Sequence, residues 1–571
     1  MSFSTATMEP PVIQAALSGP LGGPGTRQRV RTRIGTTHFG PLQPASSLQP
    51  ASSLEPASSL QSEGCMADWD ACWMDGKPIQ TLAQWKDILA ADRLGDVAGA
   101  FSLAWISPKE TLHLARDPIG ERTLFYAQNQ GEIIFASSIR AILATGQIEP
   151  RLNLVGIATY LSYAYLPGRE TLIEGIFEIL PGEIVTFQNG ALLRTCYWQP
   201  PEERHMGDPD EERLRRDLRA HLEEAVRRRL PDGQPVGAFL SGGLDSSLVV
   251  ALASKLHHEP VRTFSVSFGA GYRNELPFST LVARHCNTNH RVVEQSPEVV
   301  LRYLDQTIGL LSDPIGDPLT VPNALLFREA ATEVGVVLNG EGGDPCFGGP
   351  KNLPMLLSEL YGDSHERERS YLRAHQKCYD ELEWMLTDRV HDAIRGDVLA
   401  SRVKPWFENT RWRQFVTKLQ AINVVFKGGH HILPKVDALS AISGVVARSP
   451  LFDRSVVEAS FALPPQLKLR GSVEKYLLKR SAEDLLPSGI IHRPKSGMLV
   501  PVEGWFRGPL LNQARERILD GLTPYDLFNR SYLERLCAGR LGGLRPRHGV
   551  KIWLLITLEA WLRTHGIKQG R

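Results

Sequence analysis

The chain has 571 residues, 42% hydrophobic and 22% charged, and its 64 Lys and Arg against 63 Asp and Glu leave a net charge of +1. That length gives room for two full cores, while the balanced charge supplies no field to draw nucleic acid or an anionic membrane. No apolar run approaches the roughly 18 residues of a membrane span, and the N-terminus lacks the basic stretch and apolar core of a secretory signal. The seven cysteines, an odd number without a Cys-x-x-Cys pair, fit reduced thiols in the cytoplasm.

Residues 1–64 read as a disordered low-complexity tail. A six-residue unit, Pro-Ala-Ser-Ser-Leu with one variable position, recurs from Pro44, Pro50 and Pro56; proline breaks any helix and there is little to bury. Arg27, Arg29, Arg31 and Arg33 alternate with other residues, as a basic edge strand or a solvated arm would. From about Cys65 to residue 200 the pattern becomes globular. Trp73-Met-Asp-Gly-Lys77 is a turn-like segment, the stretch Leu94 to Ile106 reads as a strand, and Ala115-Arg-Asp-Pro-Ile-Gly120, Leu124-Phe-Tyr126 and Phe135-Ala-Ser-Ser138 follow.

The second globular stretch, 205–567, opens with the run that carries the chemistry. Val236 to Leu240 is a short apolar strand of the buried parallel kind, and helical sequence follows from Ser246 to Leu256. Between them, Gly242 and Gly243 let backbone N–H groups approach an anion, and Ser241, Ser246 and Ser247 add hydroxyls at a helix start. Asp245 would repel phosphate directly but suits a Mg2+ ion bridging carboxylate and phosphate oxygens. No Gly-Lys-Ser/Thr closes the loop, so it is not a Walker loop and suits pyrophosphate as a leaving group better. A second apolar run, Val334 to Leu338, leads into Asn339-Gly-Glu-Gly-Gly-Asp344, which puts carboxylates at the ligand edge of a parallel sheet. The adjacent pairs His257-His258 and His430-His431 lack metal spacing, so no zinc is expected.

Ser241-Gly-Gly-Leu-Asp-Ser-Ser247 resembles the pyrophosphate loop of the N-type ATP pyrophosphatases. The landmarks after it resemble the asparagine synthetase branch: Thr263–Phe268, Asp313-Pro314, Asp317-Pro318, Gly340–Asp344, Leu433-Pro-Lys-Val-Asp437, Ala447–Asp453, Glu474-Lys-Tyr-Leu-Leu478, Arg493–Gly497, then Pro501 and Trp505. The resemblance implies a doubly wound parallel-sheet α/β domain with strands near 235, 262 and 335, preceded by an α+β, N-terminal nucleophile-type four-layer sandwich. It implies ATP and Mg2+, with Ser241, Gly242, Gly243, Asp245, Ser246, Ser247, Val266 and Gly340 on the nucleotide, Asp245 and Asp344 on the metal, and Glu341 and Lys475 as catalytic groups. The implied reaction adenylates a carboxylate, releases pyrophosphate and forms an amide with ammonia or an amine. Glu341 matches the synthetases, where related β-lactam-forming cyclases carry tyrosine.

The family couples this domain to a glutaminase that works with an N-terminal cysteine. Here Ser2 follows Met1, and Asp75 stands where the family carries asparagine in an Asn-Gly motif. A degenerate glutaminase-like domain over 65–200 is therefore expected, with its glutaminase activity lost. Pro345 and Val446 also replace family carboxylates, which puts aspartate as substrate in doubt. A lasso-peptide cyclase or β-lactam synthetase-like cyclase is the alternative, and a peptide substrate, a separate ammonia source and a homodimer stay open. A pseudoenzyme retained for binding is a third reading.

Overall fold

A computed structural model describes residues 15–17, 60–62 and 65–568, less 110, 189, 204–209, 350–365, 494–498 and 542–546. The Pro-Ala-Ser-Ser units of residues 44–59, the alternating arginines, Ser2 and the Pro494–Gly497 part of one landmark lie outside the described residues. Within the segment expected to be a tail, two short strands are described, β1 (Ala15–Leu17) and β2 (Leu60–Ser62).

The N-terminal half holds two antiparallel sheets. One runs β11-β10-β6-β5-β3-β2, with β4 on β3; the other runs β1-β8-β7-β9. Their strands are β3 (Cys65–Met74), β4 (Lys77–Pro78), β5 (Ala98–Ile106), β6 (Leu112–Arg116), β7 (Phe125–Asn129), β8 (Glu132–Ala136), β9 (Ile176–Glu178), β10 (Glu183–Gln188) and β11 (Ala191–Cys196). β1 and β2 each lie at the edge of a sheet, where unpaired backbone groups can take up a passing segment. The expected strand from Leu94 starts later, because Leu94–Asp96 is a 3-10 turn. Asp75 and Gly76 both have positive φ (51° and 74°) in the two-residue connection between β3 and β4. Asp-Gly suits such a hairpin turn by its conformation alone.

In the C-terminal half a five-stranded parallel sheet runs β14-β13-β12-β15-β16, from β12 (Val236–Phe239), β13 (Arg262–Ser267), β14 (Asn289–Glu294), β15 (Val336–Leu338) and β16 (Val446–Arg448). The three strands read from sequence pair in parallel register, Val236 with Val336 and Gly237 with Arg262. The fold is thus mixed α/β with a parallel sheet. Gly237 is required by packing: a Cβ there would meet Val334 Cγ2 at 2.8 Å. Helix Leu244–Leu256 joins β12 to β13 and is buried from Ser246 to Ala253, so it is a core helix rather than an amphipathic one. Propagation reverses between β12 and β15, which creates a crevice beyond their carboxyl ends.

The two halves are locked by buried charge. Asp117 accepts backbone N–H bonds from Ile119, Gly120, Glu121 and Arg122 at 2.7–3.0 Å, which explains the tight Arg-Asp-Pro-Ile-Gly turn. The fully buried Arg116 donates to the carbonyl of Gly429 (2.8 Å) and to Glu178 (2.7 Å), whose other oxygen bonds His430 Nδ1 (2.7 Å). Arg122 pairs with Asp437 at 2.7 Å, and Arg229 binds Asp453 and, at 3.2 Å, Glu121.

Beside this lattice lies a cavity of about 250 Å3 lined by both halves, including Asp68, Tyr165, Glu178, Asp313, His430 and Val446. Asp313 accepts from Leu172 N (2.8 Å). Burial pushes its pKa up to about 8, against the opposing Leu172 bond. The folded state therefore holds a proton that the unfolded chain releases near 3.8. Its contribution to stability is full below that value and is lost as pH rises through about 8. Asp313→Asn should match the parent in thermal midpoint near pH 4 and exceed it above pH 8; the reverse order would refute this assignment.

Candidate active site

At the crevice between β12 and β15 lies a cavity of about 340 Å3. Its walls include Ser241, Gly243, Asp245, Ser246, Val266, Gly340, Glu341, Asp344 and Lys475. Four separate stretches of chain, read one by one from sequence, meet here.

The glycine-rich loop is shaped by close approach. Gly242 has φ +77°, and a Cβ would stand 2.5 Å from Ser279 N. Ser241 Oγ accepts from Gly243 N (3.2 Å), and Ser241 N donates to Ser246 Oγ (3.2 Å). The loop thus closes on its own hydroxyls and presents Gly243 and Asp245 at the start of a thirteen-residue helix. Such a start favours an anion through its free N–H groups and dipole. Gly342, at φ +109°, turns the second loop against Leu451. Gly340 and Gly343 bring that loop onto the first: a Cβ at Gly340 would lie 2.4 Å from Ser246 N, and one at Gly343 2.2 Å from Asp245 Oδ1. No larger residue permits this contact.

Lys475 joins the two loops. Its Nζ lies 2.5 Å from Asp245 Oδ2 and 2.5 Å from Asp344 Oδ1, and the side chain is 3% exposed. Burial alone would push its pKa down; the two carboxylates more than reverse this, so the ammonium stays charged. Lys475 stands just before helix Tyr476–Arg480, at φ +53°. This left-handed position costs a non-glycine residue about 1 kcal/mol, and the two ion pairs offset it.

Asp245 and Asp344 offer hard oxygen ligands on one ammonium, so a single Mg2+ completed by phosphate oxygens and water fits their chemistry. Among the described residues no group of three His, Cys, Asp or Glu could hold a metal alone. Glu341 N donates to Asn339 Oδ1 (3.0 Å). Burial raises the Glu341 carboxyl pKa, and the Lys435 and Lys427 ammonium groups pull it back only in part. A proton acceptor benefits from such a shift.

Two sequence-read residues stay off the cavity wall. Gly242 acts by closeness to Ser279, and Ser247 is fully buried behind the loop, with its hydroxyl bonded to nothing among the described residues. The site also gains groups that sequence did not assign. Arg493 pairs with Glu275 (2.5 Å) and stacks over Phe278 at 4.1 Å, with both ionic partners on the cavity wall. Lys435 binds Asp317 (2.6 Å), with His431 3.7 Å from the same oxygen and stacked on Tyr165. Both belong to segments noted as landmarks; their pairings, over 118 residues for Lys435 and 218 for Arg493, had no sequence signal.

Family models match most of the chain. The one described as asparagine synthase covers residues 217–563, and the glutamine amidotransferase domain covers 81–198. Asparagine synthetase (glutamine-hydrolyzing) 1 of Bacillus subtilis (strain 168) is 25% identical over 495 residues, 80% of this chain and 76% of its own. A putative asparagine synthetase (glutamine-hydrolyzing) of Mycobacterium tuberculosis (strain ATCC 25618 / H37Rv) is 27% identical over 505 residues, 81% of this chain and 76% of its own. Amidase chry2 of Gibberella zeae (strain ATCC MYA-4620 / CBS 123657 / FGSC 9075 / NRRL 31084 / PH-1) is 22% identical over 494 residues, 74% of this chain and 73% of its own.

Proposed function

The chain belongs to the asparagine synthase family, and from that premise we propose that it is an ATP-dependent carbon–nitrogen ligase that adenylates a carboxylate and converts it to an amide. The observation that carries this reading is Lys475 held between Asp245 and Asp344 where the two glycine loops meet. Its scaffold is read as a doubly wound ATP pyrophosphatase domain over 205–567, packed on a nucleophile-type four-layer sandwich over 65–200, working in the cytoplasm.

In the first step a substrate carboxylate oxygen attacks the α-phosphorus of ATP. The bond to the bridging oxygen breaks, and pyrophosphate leaves from an acyl adenylate. The N–H groups of the first helical turn after Gly243 and the Lys475 ammonium meet the charge gathering on the leaving group, and fixed donors of this kind are the larger part of such catalysis. Mg2+, held by Asp245 and Asp344, would supply further neutralisation of phosphate charge. The backbone at Val266 borders the adenine end. In the second step an amine nitrogen attacks the acyl carbon and AMP departs with the bond electrons. Glu341 takes the proton released by the nitrogen, a role its raised pKa favours.

We read the nitrogen source as ammonia or an amine rather than glutamine. Asp75, in the turn where the family carries asparagine, pairs with Arg93 at 3.0 Å. Cys65 and Cys72, on β3, are buried, and burial raises the pKa of both thiols, which disfavours the thiolate a nucleophile needs. Pyrophosphate exchange across aspartate, glutamate and short acidic peptides identifies the carboxylate. Product should then form with ammonium and not with glutamine alone, and equal rates from both would overturn the nitrogen assignment.

A second reading, a peptide or β-lactam-forming cyclase, is favoured by Val446. It stands on β16 where asparagine synthetases carry glutamate, and it lines the cavity between the halves. Exchange with a peptide or β-amino acid and none with aspartate would select it.

A further inference from the structure

A continuous set of hydrogen bonds runs from the N-terminal half to Glu341. Asp70 is the last residue of β3 before an irregularity in its pairing with β5, where the register shifts between Asp70 and Trp73 and Ala71 turns to φ +46°. A bulge of this kind re-aims side chains. Asp70 accepts two bonds from Arg448 across the boundary between the halves: Nη2 to Oδ1 at 2.7 Å and Nε to Oδ2 at 2.8 Å. The third guanidinium nitrogen, Nη1, donates to the carbonyl of Arg229 (2.8 Å), so the group is fixed on all sides. Both side chains are largely buried, at 12% and 16% exposure. A planar fork on a carboxylate sets orientation as well as distance.

Arg448 ends β16, whose partner β15 runs directly into the Glu341 loop. The carbonyl of Arg448 accepts from Asn339 N (3.1 Å), and Asn339 Oδ1 accepts from Glu341 N (3.0 Å). Asn339 is 4% exposed. From Asp70 to the Glu341 backbone, hydrogen bonds thus alternate with the covalent frames of Arg448 and the buried Asn339.

We propose that Asp70 is a positioning residue for the amide-forming step: through Arg448, β16 and Asn339 it fixes the placement of Glu341. This rests on the ligase reading given above. It also gives the N-terminal half a role that needs no glutamine hydrolysis. Glu341 is assigned to the second step, whereas Lys475, Asp245 and Asp344 serve the first, so the two steps should separate.

The test uses the full chain and measures pyrophosphate exchange and amide formation with ammonium chloride on the same carboxylate. Asp70→Asn keeps the shape but loses the charge-assisted fork. Exchange should stay within about twofold of the parent while amide formation falls about tenfold or more, as loss of an orienting partner does. Asp70→Glu should recover part of that loss. Asp75→Asn, in an exposed pair of the same half, should change neither step. Equal falls in both steps, tracking a lowered melting point, or no fall in either, would overturn the assignment. If Asp70→Asn fails to fold, Asp70→Glu carries the same comparison. Absence of exchange in the parent with every carboxylate would instead reject the ligase reading, and this one with it.

Discussion

Lys475→Ala is expected to lower pyrophosphate exchange by about 10³-fold or more, because it removes a buried cation that touches both loop carboxylates. Alanine keeps the left-handed backbone cost that any non-glycine residue bears here, so Lys475→Gly, which removes it, should melt above Lys475→Ala while losing the same exchange. Lys475→Arg should not restore activity. A planar guanidinium is larger than an ammonium, and two carboxylates 2.5 Å from one nitrogen leave a point-shaped space. The ATP dissociation constant, read by fluorescence of a labelled nucleotide, should rise less than the rate falls, because the charge that Lys475 meets grows toward the transition state. An alanine variant retaining a tenth of the parental exchange would remove Lys475 from catalysis.

Arg229→Met carries the largest expected effect on stability. Arg229 is 2% exposed and serves Asp453 and Glu121, with Arg448 on its carbonyl. Removing it strands two buried carboxylates, for which breaking a buried pair typically costs about 3–5 kcal/mol. Glu121 already has its pKa raised to about 7, by burial first, with Asp117 and Asp453 adding to it while Arg229 opposes. Without Arg229 the Glu121 pKa rises further, and that of Asp453, where burial is now outweighed by Arg229 and Ser455, loses its main opposing charge and rises too. The deficit in the variant should therefore be larger at pH 8 than at pH 5, where protonation relieves the stranded charge. Urea unfolding at the two pH values measures this. A deficit that grows toward acid would show that the lattice is not carried by these carboxylates.

The two predictions address different layers of the molecule. Lys475 acts where two loops of the parallel sheet meet, and Arg229 acts where that sheet's domain meets the antiparallel half. The Asp70–Arg448 fork links the layers, which is why a domain with a paired Asp75 and buried β3 thiols can still bear on the reaction.

Much of this organisation was legible residue by residue. Val236 to Leu240 reads as a buried strand because it is short, apolar and followed by helical sequence, and Gly242-Gly243 reads as a phosphate loop because only glycine lets the backbone so close. The same logic placed Glu341 and Asp344 after a second strand. For Lys475 it does not suffice: the neighbouring residues favour a helix, and the antiparallel pair of Leu469–Arg470 with Val473–Glu474 before it places the lysine outside. Lys435, Arg493 and Asp70 went unassigned because their roles depend on partners 118, 218 and 378 residues away.

The sequence by itself determined where an anion-binding loop and two further carboxylates stand, since glycines, hydroxyls and carboxylates next to apolar strands are local chemistry that periodicity and spacing expose. Only the tertiary structure decided which charges answer one another. Burial removes the water that would screen them, and it makes the pairing of Lys475 with two carboxylates, and of four arginines across the boundary between the halves, a property of the folded chain alone.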